Sequence, residues 1–369
     1  MIRITAIILS CCVFTSLCVS TSLALASDID TRSEIENLKK RINQLDPGDD
    51  SDEETAFSLN TNGSTLTFWG AVEVEAGYSK IEGQPESSDI VAATGELGLD
   101  ITITDSVGGH LIFSYEEDEE PELYVDEANI VLSCPLQYAG GTTRLIAGKM
   151  ALPFGQFNTS MISDPLTLEL GETYASALVF IWANDSLDFS LGFFNGRSDT
   201  DGSRDNIDTA VASLSLTPWE GIAFGLSYIS DLAESDFELV DTDTDPYPAS
   251  VCGAAAFLNL EFGSLVIDAE YVTATKDFNQ TVIDPAGDLS GEKPQAMNLD
   301  IAWNPGDNLG LAVRYELADD ILGDISRYGG TVSYGIAEQT VLALEYLLTA
   351  PDSGDENEHT ITSQLAIEF

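Results

Sequence analysis

Large apolar residues alternate with small or polar residues over most of the chain. In the stretch 309–317 every second residue is large and apolar, whereas Arg314 and Glu316 fall between them. The same alternation recurs at 187–193 and 265–271. Because successive side chains of a strand point to opposite faces, each segment predicts a strand with one apolar face and one polar or small face.

The number of such segments, and what connects them, predicts the architecture. Short turns such as Asn184–Asp185 alternate with longer polar connections such as 231–250. This asymmetry is typical of outer-membrane barrels and not of sandwiches. We therefore expect an all-β fold, a transmembrane antiparallel β-barrel of about sixteen strands. The predicted strands lie near 65–78, 93–104, 109–117, 122–134, 142–150, 175–183, 186–195, 207–217, 222–230, 252–262, 264–275, 296–304, 309–318, 328–337, 339–349 and 360–369.

Charge fits this interpretation and excludes other classes of protein. The 369 residues include 14 Lys and Arg against 63 Asp and Glu, a net charge of −49. A nucleic-acid partner is excluded, because binding a polyanion requires a basic surface. The 44% hydrophobic content excludes a disordered acidic chain. In a barrel the carboxylates would occupy the lumen, the rims and the loops, and aromatic residues near strand ends would meet the lipid interfaces.

The region before the barrel predicts three short segments. A charged start, an apolar run and Ala24-Leu25-Ala26 indicate a secretory signal peptide. Apolar residues at spacings of three and four, from Ile35 to Leu45, then predict a short helical coiled coil, either an oligomerisation stalk or a plain surface helix. An acidic linker follows, and these segments leave too little chain for a globular plug. The predicted boundaries are 1–26 for the signal peptide, 27–45 for the coiled-coil segment, 46–63 for the linker and 64–369 for the barrel.

The connection 151–174 differs from the acidic connections around it, because it is long and rich in Phe, Leu, Met and Ile. A loop of this composition is expected to fold into the barrel mouth and constrict it. The alternative is that the loop only packs down to stabilise the wall. Candidate residues of the constriction and solute path are Lys149, Phe154, Phe157, Asp164, Glu169 and Glu172. Candidate lumen residues, with Lys149 also expected to point inward, are Glu73, Glu75, Glu96, Asp100, Asp268, Glu270, Arg314 and Glu316.

Four stretches around this loop carry a family resemblance: Gly148–Lys149, Leu152–Phe157, Met161–Thr167 and Leu170–Thr173. They resemble the LbtU-type siderophore porin family, and a looser likeness extends from the coiled-coil segment to Phe369. The resemblance implies uptake of an iron–siderophore complex across the outer membrane of a Gram-negative bacterium, without a plug domain.

Several partners and alternatives accompany this hypothesis. The partners are a siderophore or another small polar solute, outer-membrane lipid and lipopolysaccharide, the barrel-assembly machinery through Phe369, and further copies of the chain. The other functions considered are a general or cation-preferring diffusion porin and a structural or adhesive surface barrel. We expect no enzyme, metal or cofactor, because His110 and His359 are the only histidines and no nucleophile motif accompanies them.

Overall fold

The computed structural model describes residues 57–61, 64–117, 122–134, 140–197, 206–237, 239, 249–278, 293–306, 308–321, 324–351 and 356–369. The predicted signal peptide and coiled-coil segment lie outside these residues, as does 46–56 of the predicted linker.

All sixteen predicted strands are present in the described part of the chain, preceded by a short strand that was not predicted. A single helical turn, α1, lies in the connection 151–174, and a 3-10 turn covers Leu232–Glu234. The elements are β1 Phe57–Thr61, β2 Ser64–Ile81, β3 Ser87–Thr104, β4 Val107–Tyr115, β5 Leu123–Cys134, β6 Thr142–Ala151, α1 Leu166–Gly171, β7 Tyr174–Ala183, β8 Leu187–Phe194, β9 Thr209–Trp219, β10 Ile222–Ile229, β11 Gly253–Phe262, β12 Leu265–Ala274, β13 Gln295–Trp303, β14 Leu309–Asp319, β15 Ile325–Ala337, β16 Thr340–Pro351 and β17 Glu358–Glu368.

Strands β2 to β17 form a closed antiparallel barrel. Each strand pairs with its neighbours in sequence, and β17 pairs with β2 to close the ring. At this seam the backbone of Phe369 exchanges two hydrogen bonds with Gly70, of 2.8 and 3.0 Å. A Cβ at Gly70 would lie 2.6 Å from the Phe369 ring and 2.7 Å from the backbone oxygen of Glu96, so glycine is required there. Beyond the end of β17, β1 continues along the same edge of β2, so part of the predicted linker is a strand.

The alternation of faces is confirmed in the barrel wall. Along β14, Val313 and Tyr315 are 57% and 41% exposed, whereas Arg314 and Glu316 are 3% and 0% exposed. The outer face is therefore apolar, as lipid requires, and the ionisable groups point inward. Aromatic residues at predicted strand ends lie on this outer face: Trp219, Tyr228, Tyr271, Trp303, Tyr315, Tyr334 and Tyr346. None of the helices in the described ranges has the length and apolar character needed to cross a membrane.

The hydrophobic core lies inside the barrel. It is formed where apolar side chains of the 151–174 connection, among them Phe154 and Leu170, meet inward-facing residues of the wall such as Phe194 and Val272. Side chains from other outward connections, including Phe278, join the same cluster. The side of the barrel that carries the long connections is therefore partly filled with packed apolar side chains.

Candidate functional site

Residues 152–173, here called the lumen loop, fold from the end of β6 into the barrel before the chain returns to β7. Phe154, Leu166 and Leu170 are at most 1% exposed. Helix α1 lies against β12, β13 and β14. Burying a side chain of this size contributes about 1.5–3 kcal/mol, so apolar packing alone holds the loop strongly inside. The connection therefore lies inside the barrel; that it constricts a solute path stays a prediction.

Glu270 on β12 anchors the first turn of the lumen loop. Its carboxylate accepts hydrogen bonds from the backbone N–H of Gln156 at 2.7 Å and of Phe157 at 2.9 Å, and from the Thr167 hydroxyl at 3.3 Å. The turn is strained at Phe157, which has a φ of 51°, and Gly155 has a φ of 78°, which glycine adopts without strain. A Cβ at Gly155 would lie 2.1 Å from the Phe157 ring, so this tight turn requires glycine.

Arg314 on β14 anchors the loop tip through backbone carbonyls. Its guanidinium donates to both carboxylate oxygens of Asp300, at 2.9 and 3.2 Å. It also donates to the carbonyl oxygens of Ser163 at 2.7 Å and Asp164 at 3.2 Å, and to the Thr159 hydroxyl. Such a planar donor group matches a carboxylate and still has N–H groups for the loop.

Two further carboxylates bind backbone amides of the tip and of α1. Glu345 on β16 accepts from the N–H of Ile162 at 2.6 Å and of Ser163 at 3.3 Å. Glu316 on β14 accepts from the N–H of Leu166 at 2.6 Å. Within the stretch 162–164 the N–H groups of Ile162 and Ser163 bind Glu345, and the carbonyl oxygens of Ser163 and Asp164 bind Arg314. Both the donors and the acceptors of this stretch are therefore bound to the barrel wall.

Asp268, Glu270, Arg314 and Glu316, predicted to line the lumen, lie on the inner wall, and each is buried beneath the lumen loop. Asp268, 8% exposed, accepts from the Asn158 side chain at 3.0 Å. In this half of the barrel the ionisable groups bind the loop and do not border open lumen. Phe154 belongs to the core, and Phe157 packs against it.

The remaining predicted carboxylates face the lumen from the opposite wall. Glu73 and Glu75 of β2 share the side-chain amide of Gln364, which donates to them at 3.2 and 2.9 Å. Asp164, exposed at the loop tip, and Glu345 lie close enough to Glu75 to repel it electrostatically. The lumen between the loop tip and β2 is thus bordered by carboxylates on both sides.

Glu96 and Asp100 extend this acidic wall along β3. The charges of Glu73, Asp126 and Glu127 act on Glu96. Asp100 lies nearer the short-turn side, where its carboxylate is 2.6 Å from His110 Nδ1 and accepts from Trp69 Nε1 at 3.2 Å. Asp100 is therefore engaged in a local hydrogen-bond cluster.

Lys149 does not point into the lumen. Its cross-strand partners Ala128 and Ser176 are exposed, whereas the next residue, Met150, is 5% exposed. Directly paired residues share a face, so Lys149 lies on the outer face near the end of β6. Its ammonium donates to the Val125 carbonyl at 2.7 Å. The prediction of an inward Lys149 is wrong, because the buried Met150 occupies the inward position at this end of β6.

Glu169 and Glu172 lie at the outer end of the loop. Glu169 accepts from Arg327 at 2.9 Å. The Glu172 carbonyl accepts from the N–H of Asp236, whose carboxylate in turn accepts from the N–H of Tyr174 at 2.8 Å. Burial raises the pKa of the Asp236 carboxyl, although the hydrogen bond from Tyr174 N–H and the charge and hydrogen bond of Arg197 act to lower it. These contacts fasten the end of the lumen loop to the rim and do not border a passage.

Four residues that hold or border the loop were not predicted from the sequence: Asp300, Arg327, Glu345 and Gln364. All four interrupt apolar alternation, since each is followed or preceded by large outward residues such as Ile301 and Leu344. Their inward-facing positions could therefore have been predicted from the sequence. No grouping of three or more His, Cys, Asp or Glu side chains within the described ranges is arranged to hold a metal ion.

The closed barrel with a connection folded into its lumen defines a porin-like outer-membrane protein fold. An OmpF of Salmonella typhi in complex with daunomycin shares it with a TM-score of 0.62 and 11% identity, over 85% of this chain and 100% of that chain. An anion-selective porin of Comamonas acidovorans has a TM-score of 0.61 and 13% identity, over 83% of this chain and 100% of that chain. The trimer form of OmpT, an outer-membrane protein of Vibrio cholerae, has a TM-score of 0.56 and 14% identity, over 84% of this chain and 100% of that chain. At these identities the likeness concerns the fold alone.

Sequence comparison gives a weaker result. No protein-family model matches the chain. A UPF0422 protein of Coxiella burnetii (strain RSA 493 / Nine Mile phase I) is 23% identical over 301 residues, which cover 76% of this chain and 63% of that protein. The chain thus spans less than two thirds of this relative. The resemblance to the LbtU-type family stays a prediction.

Proposed function

We propose that this protein is a channel in the outer membrane of a Gram-negative bacterium, with a passage that prefers cations. The passage runs between the tip of the lumen loop and the wall formed by β17, β2 and β3. The observation that carries the proposal is the ring of carboxylates on both sides of this space: Asp164 on the loop, and Glu73, Glu75 and Glu96 on the wall. A lumen lined by one sign of charge concentrates ions of the opposite sign.

The positions of the nearby arginines support the same selectivity. Arg314 is paired with Asp300 and buried, and Arg327 is paired with Glu169. Their charges are therefore compensated locally and add little positive potential to the passage. Cations should be favoured even though Arg314 and Arg327 lie in the barrel interior; Arg144, also inward-facing, lies near Asp188 toward the short-turn side.

The sharper form of the proposal is uptake of an iron–siderophore complex without a plug domain. It is supported by the resemblance of the lumen-loop stretches to the LbtU-type family. An acidic passage would repel polycarboxylate complexes, so we propose that the transported complex is neutral or cationic. The signal peptide, a homo-oligomer, contacts with lipid and lipopolysaccharide, and recognition of Phe369 by the assembly machinery belong to the same proposal; the trimeric Vibrio cholerae barrel supports the oligomer.

Reconstitution in planar bilayers tests the channel. We expect discrete current steps and, under a KCl gradient, a reversal potential closer to the equilibrium potential of potassium than to that of chloride. The triple variant Glu73→Gln, Glu75→Gln, Asp164→Asn should move this potential toward zero, whereas Glu220→Gln in the exposed turn after β9 should not. A wild-type potential on the chloride side would overturn the cation preference.

A second candidate, a closed surface barrel, is favoured by the extent to which apolar side chains of the lumen loop fill the interior. An electrically silent but correctly folded protein would support it over the channel. For the siderophore hypothesis, a deletion strain should grow poorly under iron starvation and take up less of the labelled iron complex. Equal uptake in deletion and parent strains would leave only the diffusion channel.

A further inference from the structure

Glu96 differs from the other carboxylates along the inner wall of β2 to β5. Hydrogen bonds reach its neighbours from nearby groups: Glu73 and Glu75 from Gln364, Asp100 from Trp69, Glu116 from Tyr124, and Glu127 from Ala151 and Asn129. Within the described ranges the Glu96 carboxylate has no hydrogen-bond donor and no ion pair. The negative charges around it, among them Glu73 and Glu127, all repel it. Its charge is therefore compensated by no group of the wall.

A second polar group beside Glu96 also has no partner. Ser114 on β4 is the direct cross-strand partner of Glu96 and is 2% exposed. Its hydroxyl oxygen is buried and makes no hydrogen bond with any residue that the structure describes. Directly paired residues share a face, so this hydroxyl lies next to the Glu96 carboxylate on the inner wall. Buried polar groups are nearly always hydrogen-bonded, and one left without a partner costs free energy.

The surroundings of this pair lie on the passage. Along the inner face, Ala71, Glu96, Ser114 and Tyr124 are successive partners across β2 to β5. Glu73 follows Ala71 by two residues and is therefore a diagonal neighbour of Glu96, at a distance of about 7–8 Å. A solute that moves between the loop tip and β2 passes this row, with a second carboxylate one step away.

We propose that Glu96 and Ser114 form a binding site for the ammonium group of a solute. An –NH₃⁺ group has three donors and no acceptor, so it can donate to the carboxylate and to the hydroxyl while its charge offsets the repulsion from the neighbouring carboxylates. A divalent metal ion fits less well, because one carboxylate and one hydroxyl supply few of the six or more oxygen ligands that such ions take. The proposal rests on the proposed cation-preferring channel and adds the class of solute, small organic amines.

Equilibrium binding to the full-length folded protein in detergent tests this site without requiring an open channel. The probe is 1,4-diaminobutane, and the reference is 1,4-bis(trimethylammonio)butane, which carries the same two charges but no N–H group. Calorimetry at pH 8 in about 0.1 M KCl lets potassium ions compete for purely electrostatic binding. We expect saturable binding of the diamine and at least tenfold weaker binding of the quaternary reference.

Two variants with matched controls locate the site. Glu96→Gln should weaken diamine binding at least tenfold, whereas Glu220→Gln in the exposed turn after β9 should stay within twofold of wild type. Ser114→Ala should weaken binding several-fold. Its control is Ser133→Ala, because the Ser133 hydroxyl is also buried without a partner among the described residues, but Ser133 pairs with Arg144. Since the Ser114 hydroxyl makes no hydrogen bond in the barrel, its removal should not lower the midpoint of urea unfolding.

The outcomes separate this site from the channel function. Diamine binding that Glu96→Gln and Ser114→Ala reduce and both controls retain would support the site, even for a barrel that conducts no current. Absence of saturable binding, equal binding of the quaternary reference, or binding that Ser114→Ala leaves unchanged would overturn it. The cation preference of the passage is judged separately, by the reversal potential in the bilayer measurement.

Discussion

Replacing Glu270 by Gln should release the lumen loop from the wall. The Glu270 carboxylate accepts from two backbone N–H groups, of Gln156 and Phe157, and from the Thr167 hydroxyl. A glutamine keeps one carbonyl oxygen but turns an –NH₂ group toward the remaining donor. At least one buried amide therefore loses its acceptor, while the side chain keeps nearly the same size.

The magnitude follows from the contacts. A hydrogen bond to a charged group contributes about 1.5–3 kcal/mol, and a buried donor left without a partner costs about 1–3 kcal/mol. We expect Glu270→Gln to lower the free energy of loop detachment by about 2–4 kcal/mol. Since every 1.4 kcal/mol is a factor of ten, the detached population should rise roughly 30- to 1,000-fold.

Hydrogen exchange measured by mass spectrometry on the folded protein reports this population directly. Peptides that contain Gln156 and Phe157 should exchange faster in Glu270→Gln, and the strand peptides should not change. Glu220→Gln, at an exposed turn position, is the control for loss of a single negative charge. Unchanged protection of the loop amides in Glu270→Gln would refute the anchoring role of this carboxylate.

Three further experiments, with four variants, test other parts of the structure. Arg314→Leu leaves the carboxylate that it pairs with buried and uncompensated, and should destabilise the barrel by about 3–5 kcal/mol, measured by urea unfolding in lipid vesicles; an unchanged midpoint would contradict the pairing. Gly155→Ala places a Cβ against the Phe157 ring and should expose the loop to chymotrypsin in intact cells, and a resistant variant would argue against the strained turn. Val313→Arg on the lipid face should cost about 2–4 kcal/mol, and Ile336→Arg near the end of β15 about 0–1 kcal/mol; equal costs in the same unfolding assay would contradict the depth assigned to these positions.

The strands were predictable because membrane barrels impose a strong rule on sequence. Lipid excludes unpaired backbone groups and charged side chains, so every strand must alternate and every alternation marks a face. Residues 313–316 show this directly, since the apolar residues Val313 and Tyr315 are exposed on the outer face and the charged residues Arg314 and Glu316 between them are buried inside. Strand β1 escaped prediction because its five residues are too short to show a period and lie next to an acidic segment.

The loop network was less predictable for a physical reason. Apolar composition indicated that the connection folds inward, and alternation indicated that Asp268 and Glu270 point inward. Which inward-facing carboxylate binds which part of the loop depends on contacts between residues far apart in sequence: Glu345 and Ile162, for example, are separated by 183 residues. The acceptors bind backbone amides, which every residue except proline carries, so no side-chain pattern in the loop identifies the partner.

The carboxylates that anchor the loop and the carboxylate at its tip belong to different residues. Glu270, Glu316 and Glu345 bind main-chain N–H groups, whereas Asp164 presents its exposed side chain to the lumen. Asp164→Asn changes the charge at the tip and leaves these three carboxylates in place, whereas Glu270→Gln removes one of them and leaves the charge at the tip. If the two are independent, the effects of Asp164→Asn and Glu270→Gln on loop exchange should add within about 0.5 kcal/mol. Strong coupling between them would mean that the Asp164 carboxylate itself helps to hold the loop in place.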